Sequence, residues 1–276
     1  MMKTGKRKIE FRWSYIFLTI ISFLAFFPFY MMFVMGTYYS EDLFRGLPLL
    51  VSDYFFQNLE TVLKGNFLRS YMNSIIVSVV SVSASIFTSV TIGYAIAKYD
   101  FKLRGLFMNI ILIGMMIPPQ IAIIGYVIEM RTMRLTNTLA SVICLWIANC
   151  FSAFFMTQFI KESVPDEMIE SAWIDGCSEP RILASIVIPC IKPGIISIAT
   201  LVFLWSWNNY LYPLITLNRE SVYTLPLMIA NISISYRHDY GAQMLALSLS
   251  TFPVLIIFSL GSKYFIKGIT AGAVKG

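Results

Sequence analysis

Few side chains in this sequence are suited to covalent chemistry. The 276 residues include one histidine, His238, and four cysteines, none of which forms a Cys-x-x-Cys pair. The chain has no G-x-x-x-x-G-K-[ST] sequence, the loop whose backbone amides hold ATP phosphates. We therefore expect no catalytic residue, no metal site and no cofactor in this chain.

The densest group of charged residues lies at 161–192, where six carboxylates stand against three basic side chains. Pro165 and the acidic residues after it are typical of a helix start, and Gly176 is typical of a helix end. Ser178 is expected to cap a second helix that runs towards Pro189. Lipid-surface helices favour Lys and Arg on the polar face, so an acidic helix favours docking onto a protein. Its predicted apolar face is Met168, Ile169, Ala172 and Trp173, and its polar face is Glu167, Glu170, Ser171 and Asp175.

A second set of side chains combines aromatic faces with amide groups, which suits binding of a polar ligand such as a sugar. Residues 205–210 read Trp-Ser-Trp-Asn-Asn-Tyr. At about 1.5 Å per helical residue, Trp205 lies roughly 20 Å from Lys192, near or beyond the bilayer centre. An aromatic belt at the outer interface is an alternative that stays open. The candidate pathway residues are Asn73, Gln120, Asn149, Trp205, Trp207, Asn208, Asn209 and Tyr210.

Long uncharged stretches must position both sets of side chains. Only 13% of the residues are charged, whereas soluble domains have about 25%. Six stretches without Asp, Glu, Lys or Arg are each long enough to cross a bilayer as a helix. Their continuous apolar runs favour helices over the alternating strands of a barrel. The predicted transmembrane helices are 13–40, 70–97, 105–128, 135–160, 193–218 and 240–262.

Two patterns inside these helices bear on packing. Small residues repeat every four positions from Ser81 to Gly93, which allows another helix to approach closely, although a polar pathway lining is the alternative. The tandem prolines at 118–119 remove backbone donors and predict a break in the third helix. A break at membrane depth needs cover from protein or a water-filled cavity. It therefore indicates either a packed kink or a nearby pathway.

The distribution of Lys and Arg predicts the orientation. With the N-terminus inside, the inner segments hold 14 of the 21 basic residues and the outer segments hold 7. Both termini and the segment 161–192 are therefore expected in the cytoplasm, and residues 237–239 in an external loop. The first apolar run is too long for a signal peptide and lacks a cleavage site, so we expect it to be retained. The net charge of +6 reflects this topology and no nucleic-acid binding.

Residues 170–189 carry a more specific pattern. They begin Glu-Ser-Ala-Trp-Ile-Asp-Gly, continue with nine residues to Ser185, and end Ile-Val-Ile-Pro. This resembles the EAA loop of binding-protein-dependent ABC importer permeases, which reads E-A-A-x-x-x-G, nine residues, then I-x-L-P. Ser171 and Ile188 depart from that pattern. The stretches 73–75, 205–214 and 263–276 also resemble the maltose-type sugar branch of the family, so the likeness runs from about residue 14 to the end.

The resemblance implies an all-α membrane protein with the type I ABC importer permease fold, in which six transmembrane helices carry a coupling helix between the fourth and fifth. A single permease domain would span 1–276, with a cytoplasmic N-terminus at 1–12, a first helix at 13–40, a five-helix core at 70–267 and a cytoplasmic tail at 268–276. It would lie in the inner membrane of a prokaryote.

The same resemblance implies partners. These are a second homologous permease, two cytoplasmic ATPase subunits that bind ATP and Mg, an extracytoplasmic sugar-binding protein and the surrounding lipid bilayer. In such an importer the coupling helix sits in a cleft of the ATPase and tilts helix 5 when the ATPases close. The coupling residues implied here are Met168, Ile169, Glu170, Ser171, Ala172, Trp173, Asp175, Gly176 and Pro189.

Other classes explain the sequence less well. A transporter coupled to protons or sodium should carry ionisable residues within the membrane, and the six stretches contain no Asp, Glu, Lys or Arg. A membrane scaffold would leave the acidic loop and its Ile-x-Ile-Pro end unexplained. An ABC permease for a non-sugar solute remains an alternative.

Overall fold

The computed structural model describes residues 3–232 and 239–273, with side chains described for 14–232 and 239–261. Within these ranges every regular element is a helix. Short 3-10 turns cover Asp42–Phe44 and Glu220–Val222, and a π-helical segment covers Leu183–Val187. The α-helices are α1 (Lys3–Met35), α2 (Phe55–Lys64), α3 (Phe67–Lys98), α4 (Arg104–Met116), α5 (Pro119–Thr132), α6 (Ala140–Ile147), α7 (Cys150–Ser163), α8 (Asp166–Ile174), α9 (Glu179–Ile182), α10 (Ile188–Cys190), α11 (Lys192–Trp207), α12 (Leu211–Thr216), α13 (Leu225–Ile232) and α14 (Tyr240–Ala273).

Within the described part of the chain, four stretches of helix are long and apolar enough to cross a membrane. They are Ser14–Met35, Phe67–Lys98, Ala140–Ser163 and Tyr240–Gly261. Two bent pairs, α4 with α5 and α9–α10 with α11, bring the number of candidate spans to six if each pair counts once. All-α architecture with these spans agrees with the sequence-based expectation.

The third predicted helix is broken where the tandem prolines stand. α4 and α5 meet at an angle of 107°. Ile117 has the extended conformation, with ψ of 119°, because a residue that precedes proline is disfavoured in the helical region. The Tyr212 hydroxyl donates to the carbonyl oxygen of Pro119 at 3.0 Å, which satisfies one backbone group at the break, although Met116 is 82% exposed and Ile117 is 49% exposed.

The fourth and fifth predicted helices are less continuous than expected. A short interruption at residues 148–149 separates α6 from α7. The prediction of one helix over 193–218 was wrong, since α11 ends at Trp207 and α12 begins at Leu211. The amide of Asn208 bonds back to the Leu204 carbonyl at 2.8 Å, and the Asn209 amide oxygen accepts from the Tyr212 backbone N–H at 3.2 Å. Such local side-chain bonds compete with helix continuation.

The small-residue stripe of α3 is a packing surface. Ser81, Ser85 and Ser89 are at most 1% exposed. The hydroxyl oxygens of Ser85 and Ser152 lie 3.3 Å apart. A Cβ atom built on Gly93 would lie 3.0 Å from the Met156 backbone carbon, so the absence of a side chain lets α3 and α7 touch. The close-packing alternative therefore describes this stripe.

The contacts of the chain group into two compact units. One lies within Met1–Phe67 and Ile229–Phe252, and the other within Leu68–Met228 and Pro253–Gly276. The segment 161–192 and all the candidate pathway residues belong to the second unit. The assignment of 1–276 to a single permease domain stays a prediction.

Candidate coupling loop

The acidic segment folds as a short helix, α8, set between two turns. Pro165 has extended φ and ψ angles and stands directly before the first helical residue, one position earlier than predicted. Asp166 and Glu167 lie in the first turn, where the helix dipole favours negative charge. The Ser171 hydroxyl donates to the carbonyl oxygen of Glu167 at 2.8 Å. The hydroxyl group of Ser171 is therefore hydrogen-bonded within α8 itself.

Gly176 ends α8 through a left-handed turn. Its φ angle is 75°, a conformation that costs an L-residue with a side chain about 1–2 kcal/mol. The N–H of Gly176 donates to the Trp173 carbonyl at 3.0 Å, and the N–H of Cys177 donates to the Ala172 carbonyl at 3.0 Å. This pair of bonds is a Schellman motif. Since the described residues leave open space around a Cβ atom at position 176, backbone conformation alone requires the glycine.

The apolar side chains of α8 divide between the chain's own core and its surface. Ile169 and Ala172 are 2% and 5% exposed and pack with Val164, Ile182 and other core residues. The expectation that they contact an ATPase is therefore corrected, because their surface is occupied within this chain. Met168, Trp173 and Ile174 are exposed by 41%, 43% and 86%. The exposed surface of α8 consists of these three together with Asp166, Glu167, Glu170, Ser171 and Asp175.

The carboxylate of Glu179 joins three parts of the chain. Its Oε1 atom accepts a hydrogen bond from Trp173 Nε1 at 2.6 Å. Its Oε2 atom accepts from the Tyr94 hydroxyl at 3.1 Å and from the Tyr99 hydroxyl. Burial raises the pKa of Tyr99, which keeps this hydroxyl protonated as a donor. Glu179 thus links the end of α3 and the helix α8 to the start of α9.

Lys98 forms a second link at the same end of α3. Its side chain is 4% exposed, and its ammonium group donates to the Val164 carbonyl and to Asp166 Oδ1, each at 2.5 Å. A nearly buried charge needs such partners to offset the cost of its desolvation. The turn that leads from α7 into α8 is therefore tied to α3.

The second short helix connects α8 to α11. α9 begins at Glu179 as expected, but the Ser178 hydroxyl makes no capping bond, and the Ser178 carbonyl accepts the N–H groups of Arg181 and Ile182 instead. Pro189 lies in α10, just after the π-helical segment, and is exposed. Its missing N–H coincides with the change from π- to α-helical bonding. The 79° bend between α9–α10 and α11 follows at Ile191.

One continuous core holds this segment to the longer helices. Buried side chains of α3, α7, α8, α9 and α11 form a single cluster, which includes Tyr94, Ile160, Ile169, Ile182 and Ile198. Interiors of this kind are close-packed and transmit displacement. α8 and α11 therefore belong to one packed core.

Among the candidate pathway residues, the two tryptophans differ. Trp205 is 37% exposed, stacks on Trp146 with ring centroids 6.3 Å apart, and meets Phe151 edge to face. Trp207 is 2% exposed and packs against Phe203 and Tyr71. Trp205 has free aromatic surface for a ligand, whereas Trp207 belongs to the core. Among the described residues, the buried indole N–H of Trp146 has no hydrogen-bond partner, and no sequence pattern singles it out.

Most of the candidate amides serve the fold. The Asn73 amide donates to the carbonyls of Ser221 and Tyr223 at 3.2 and 2.9 Å. Asn149 caps α7, because its Oδ1 atom accepts from the N–H of Ser152 at 2.8 Å. The bonds of Asn208 and Asn209 to nearby backbone were described above. Gln120 and Tyr210 are exposed. The free candidates are therefore Gln120, Trp205 and Tyr210.

Sequence reasoning missed the residues that fix the loop from outside it. Tyr94 lies near the end of the second predicted span, 70–97, and Lys98 and Tyr99 follow it. The sequence does contain a signal for these contacts. Lys98 and Tyr99 are expected on the inner side of the membrane, as is the acidic segment 161–192, whose carboxylates can pair with them. Residues 237 and 238 and the end of the tail, 274–276, lie outside the described residues. Among those described, no group of three or more His, Cys, Asp or Glu side chains is placed to hold a metal ion.

Comparisons with known proteins agree on one family. Residues 89–271 match the family model described as the inner membrane component of binding-protein-dependent transport systems. The chain is 33% identical over 261 residues to the arabinooligosaccharides transport system permease AraQ of Halalkalibacterium halodurans, covering 93% of each chain. It is 28% identical over 275 residues to the lactose transport system permease LacG of Rhizobium radiobacter, covering all of both.

Solved structures resemble the fold. The match to a chain from a bacterial ABC transporter involved in alginate import has a TM-score of 0.78, with 22% identity over 94% of this chain and 98% of the other. The match to a chain of the MetNI methionine ABC transporter has a TM-score of 0.57, with 17% identity over 73% and 95%.

Proposed function

This chain belongs to the family of inner membrane components of binding-protein-dependent transport systems, and we propose that it is the permease subunit of an ATP-driven importer of a sugar or oligosaccharide. The observation that carries the proposal is the similarity to AraQ, a permease named for arabinooligosaccharides, over 93% of both chains. Similarity to the lactose permease LacG over the whole length supports the same solute class.

Partner subunits would provide ATP hydrolysis, delivery of the solute and the other half of the pathway. Two ATPase subunits would bind ATP and Mg, and an extracytoplasmic binding protein would deliver the solute. A second, homologous permease would complete the pathway, because one coupling loop per chain leaves half of a symmetric ATPase pair unengaged. The excess of Lys and Arg in alternate segments supports placing both termini and α8 in the cytoplasm.

The coupling mechanism rests on the two faces of α8. Its exposed side chains, Met168, Trp173 and Ile174 with the acidic residues around them, would sit in a cleft of the ATPase. Its buried face and the bonds to Glu179 and Lys98 would carry the motion to α11. ATP-driven closure of the ATPases would then shift the permease between inward-open and outward-open states, provided that they bind one state more tightly.

The solute would pass beside α11. Trp205 offers an exposed ring that is already stacked on Trp146, which suits contact with the apolar face of a sugar. Tyr210 and Gln120 are exposed polar groups that would bond to hydroxyls. The second permease would share these contacts.

Uptake measurements test the proposal. The complex that co-purifies with this chain is placed in liposomes with ATP inside and the binding protein outside, and uptake of labelled arabinooligosaccharide, lactose and methionine is measured. We expect ATP-dependent uptake of a saccharide and none of methionine. Uptake of methionine alone would overturn the sugar assignment but keep the importer. A complex without any ATPase would overturn both.

A further inference from the structure

The segment that follows α1 exposes an unusual amount of apolar surface. Six large apolar side chains in residues 44–56, here called the apolar loop, are each at least half exposed. Between Arg45 and Asp53 the loop carries no charge. So many exposed large apolar side chains within one short segment are typical of an interaction site. The six are Phe44, Leu47, Leu49, Leu50, Val51 and Phe56.

The apolar loop does not extend away from α1 but returns along it. The Tyr30 hydroxyl donates to the Leu49 carbonyl at 2.7 Å. Tyr30 lies five residues before Met35, the end of α1, which is about 7.5 Å along the helix axis. Helical side chains also lean towards the N-terminus. Leu49 therefore lies level with the membrane span of α1 instead of beyond its end.

Together with the Leu49 carbonyl, four backbone groups of the apolar loop bond to residues 30–38. The Tyr38 hydroxyl donates to the Leu50 carbonyl at 2.8 Å. The Ser52 N–H donates to Thr37 Oγ1 at 2.9 Å, and the Tyr54 N–H donates to the Thr37 carbonyl at 3.0 Å. Non-helical backbone at the depth of lipid must find its partners within the protein, and these four bonds provide them for part of the apolar loop.

We propose that the apolar loop is a lipid-binding anchor, inserted into the membrane surface at the carboxyl-terminal end of α1. Leu47, Leu49, Leu50 and Val51 enter the acyl-chain region. The Asp42–Arg45 ion pair, at 3.0 Å, and Asp53 stay at the headgroups. The inference requires α1 to cross the membrane and is independent of the transported solute.

Spin labelling measures the insertion depth. Leu50→Cys and, separately, Leu47→Cys are made in a chain whose four native cysteines are replaced, labelled with a nitroxide and placed in liposomes with the partner subunits. The matched control is Gln57→Cys, exposed on α2 two residues after its start. Relaxation by oxygen, which concentrates in lipid, is compared with relaxation by a water-soluble nickel chelate.

The labels at 47 and 50 are expected to be relaxed by oxygen and protected from the chelate, and the label at 57 to show the reverse. Equal chelate access at all three positions would overturn the proposal. So would protection from both reagents, which would indicate that a protein covers the loop. If the cysteine-free chain does not fold, Leu50→Trp in the native chain provides a second test. Brominated lipid acyl chains should quench the fluorescence that the added tryptophan contributes. Absence of this quenching would contradict insertion.

Discussion

Trp173 and Glu179 are joined across the turn at Gly176 by a hydrogen bond of 2.6 Å from the indole Nε1 to the carboxylate Oε1. This bond closes α8 onto the start of α9. Because Oε2 of the same carboxylate accepts hydrogen bonds from Tyr94 and Tyr99, one side chain links α8 to the end of α3. The angle of α8 to the rest of the permease therefore depends on Glu179.

Replacing Glu179 should uncouple transport from ATP hydrolysis. In Glu179→Gln one oxygen acceptor becomes an amide donor, so the three donors can no longer all be satisfied. We expect less solute transported per ATP hydrolysed, with ATPase activity retained. The control is Glu162→Gln, an exposed carboxylate near the end of α7 that is not among the coupling residues. Equal transport-to-hydrolysis ratios in Glu179→Gln and wild type would contradict a role for the carboxylate in positioning α8.

Gly176→Ala should destabilise the loop through its backbone. An alanine in the left-handed conformation lowers the stability of the turn by about 1–2 kcal/mol. The described residues leave room for its Cβ atom, so this cost comes from the backbone conformation alone. Hydrogen exchange in α8 should accelerate accordingly. Gly105→Ala, in the first turn of α4 with equally open surroundings, should not accelerate exchange in its own helix. If both variants behaved alike, the left-handed turn would not be what requires Gly176.

Neighbouring residues of α8 should give opposite phenotypes. Ile169→Ala removes a buried side chain, and large-to-small core substitutions of this type cost about 2–5 kcal/mol. It should lower the thermal stability of the purified permease. Met168→Ala should leave that stability nearly unchanged and weaken binding of the ATPase. Binding and melting measurements on both variants check this, and a loss of ATPase binding confined to Ile169→Ala would reverse the assignment of faces.

Much of this organisation is visible in the sequence because the bilayer imposes simple rules. Uncharged runs locate the spans, the prolines at 118–119 locate the break, and Gly176 locates the end of α8. The interruption after Trp207 was missed because Asn208 and Asn209 look the same whether their amides bond to backbone or to a ligand. The same ambiguity makes Asn73 and Asn149 pathway candidates in the sequence, although their amides bond to backbone in the structure. The division of α8 into buried and exposed apolar residues depends on tertiary packing, which a nine-residue pattern does not determine.

Replacing Trp205 should affect solute binding, whereas replacing Trp207 should affect stability. Trp205→Ala removes exposed aromatic surface and should raise the KM for saccharide uptake with little change in melting temperature. Trp207→Ala empties a buried site and should cost about 3–5 kcal/mol of stability. Uptake kinetics and melting curves on the same preparations compare them. An unchanged KM in Trp205→Ala would remove this residue from the pathway.

The most direct test of the account is photo-crosslinking from position 168 in native membranes. A photoreactive amino acid replaces Met168, and a second sample carries it at Gln57 on α2 as the control. We predict a crosslink from position 168 to a protein that contains a G-x-x-x-x-G-K-[ST] phosphate-binding loop, and none to that protein from position 57. A position-168 variant that still transports but crosslinks only to lipid, or to a protein without this loop, would contradict the assignment of α8 as the ATPase coupling helix.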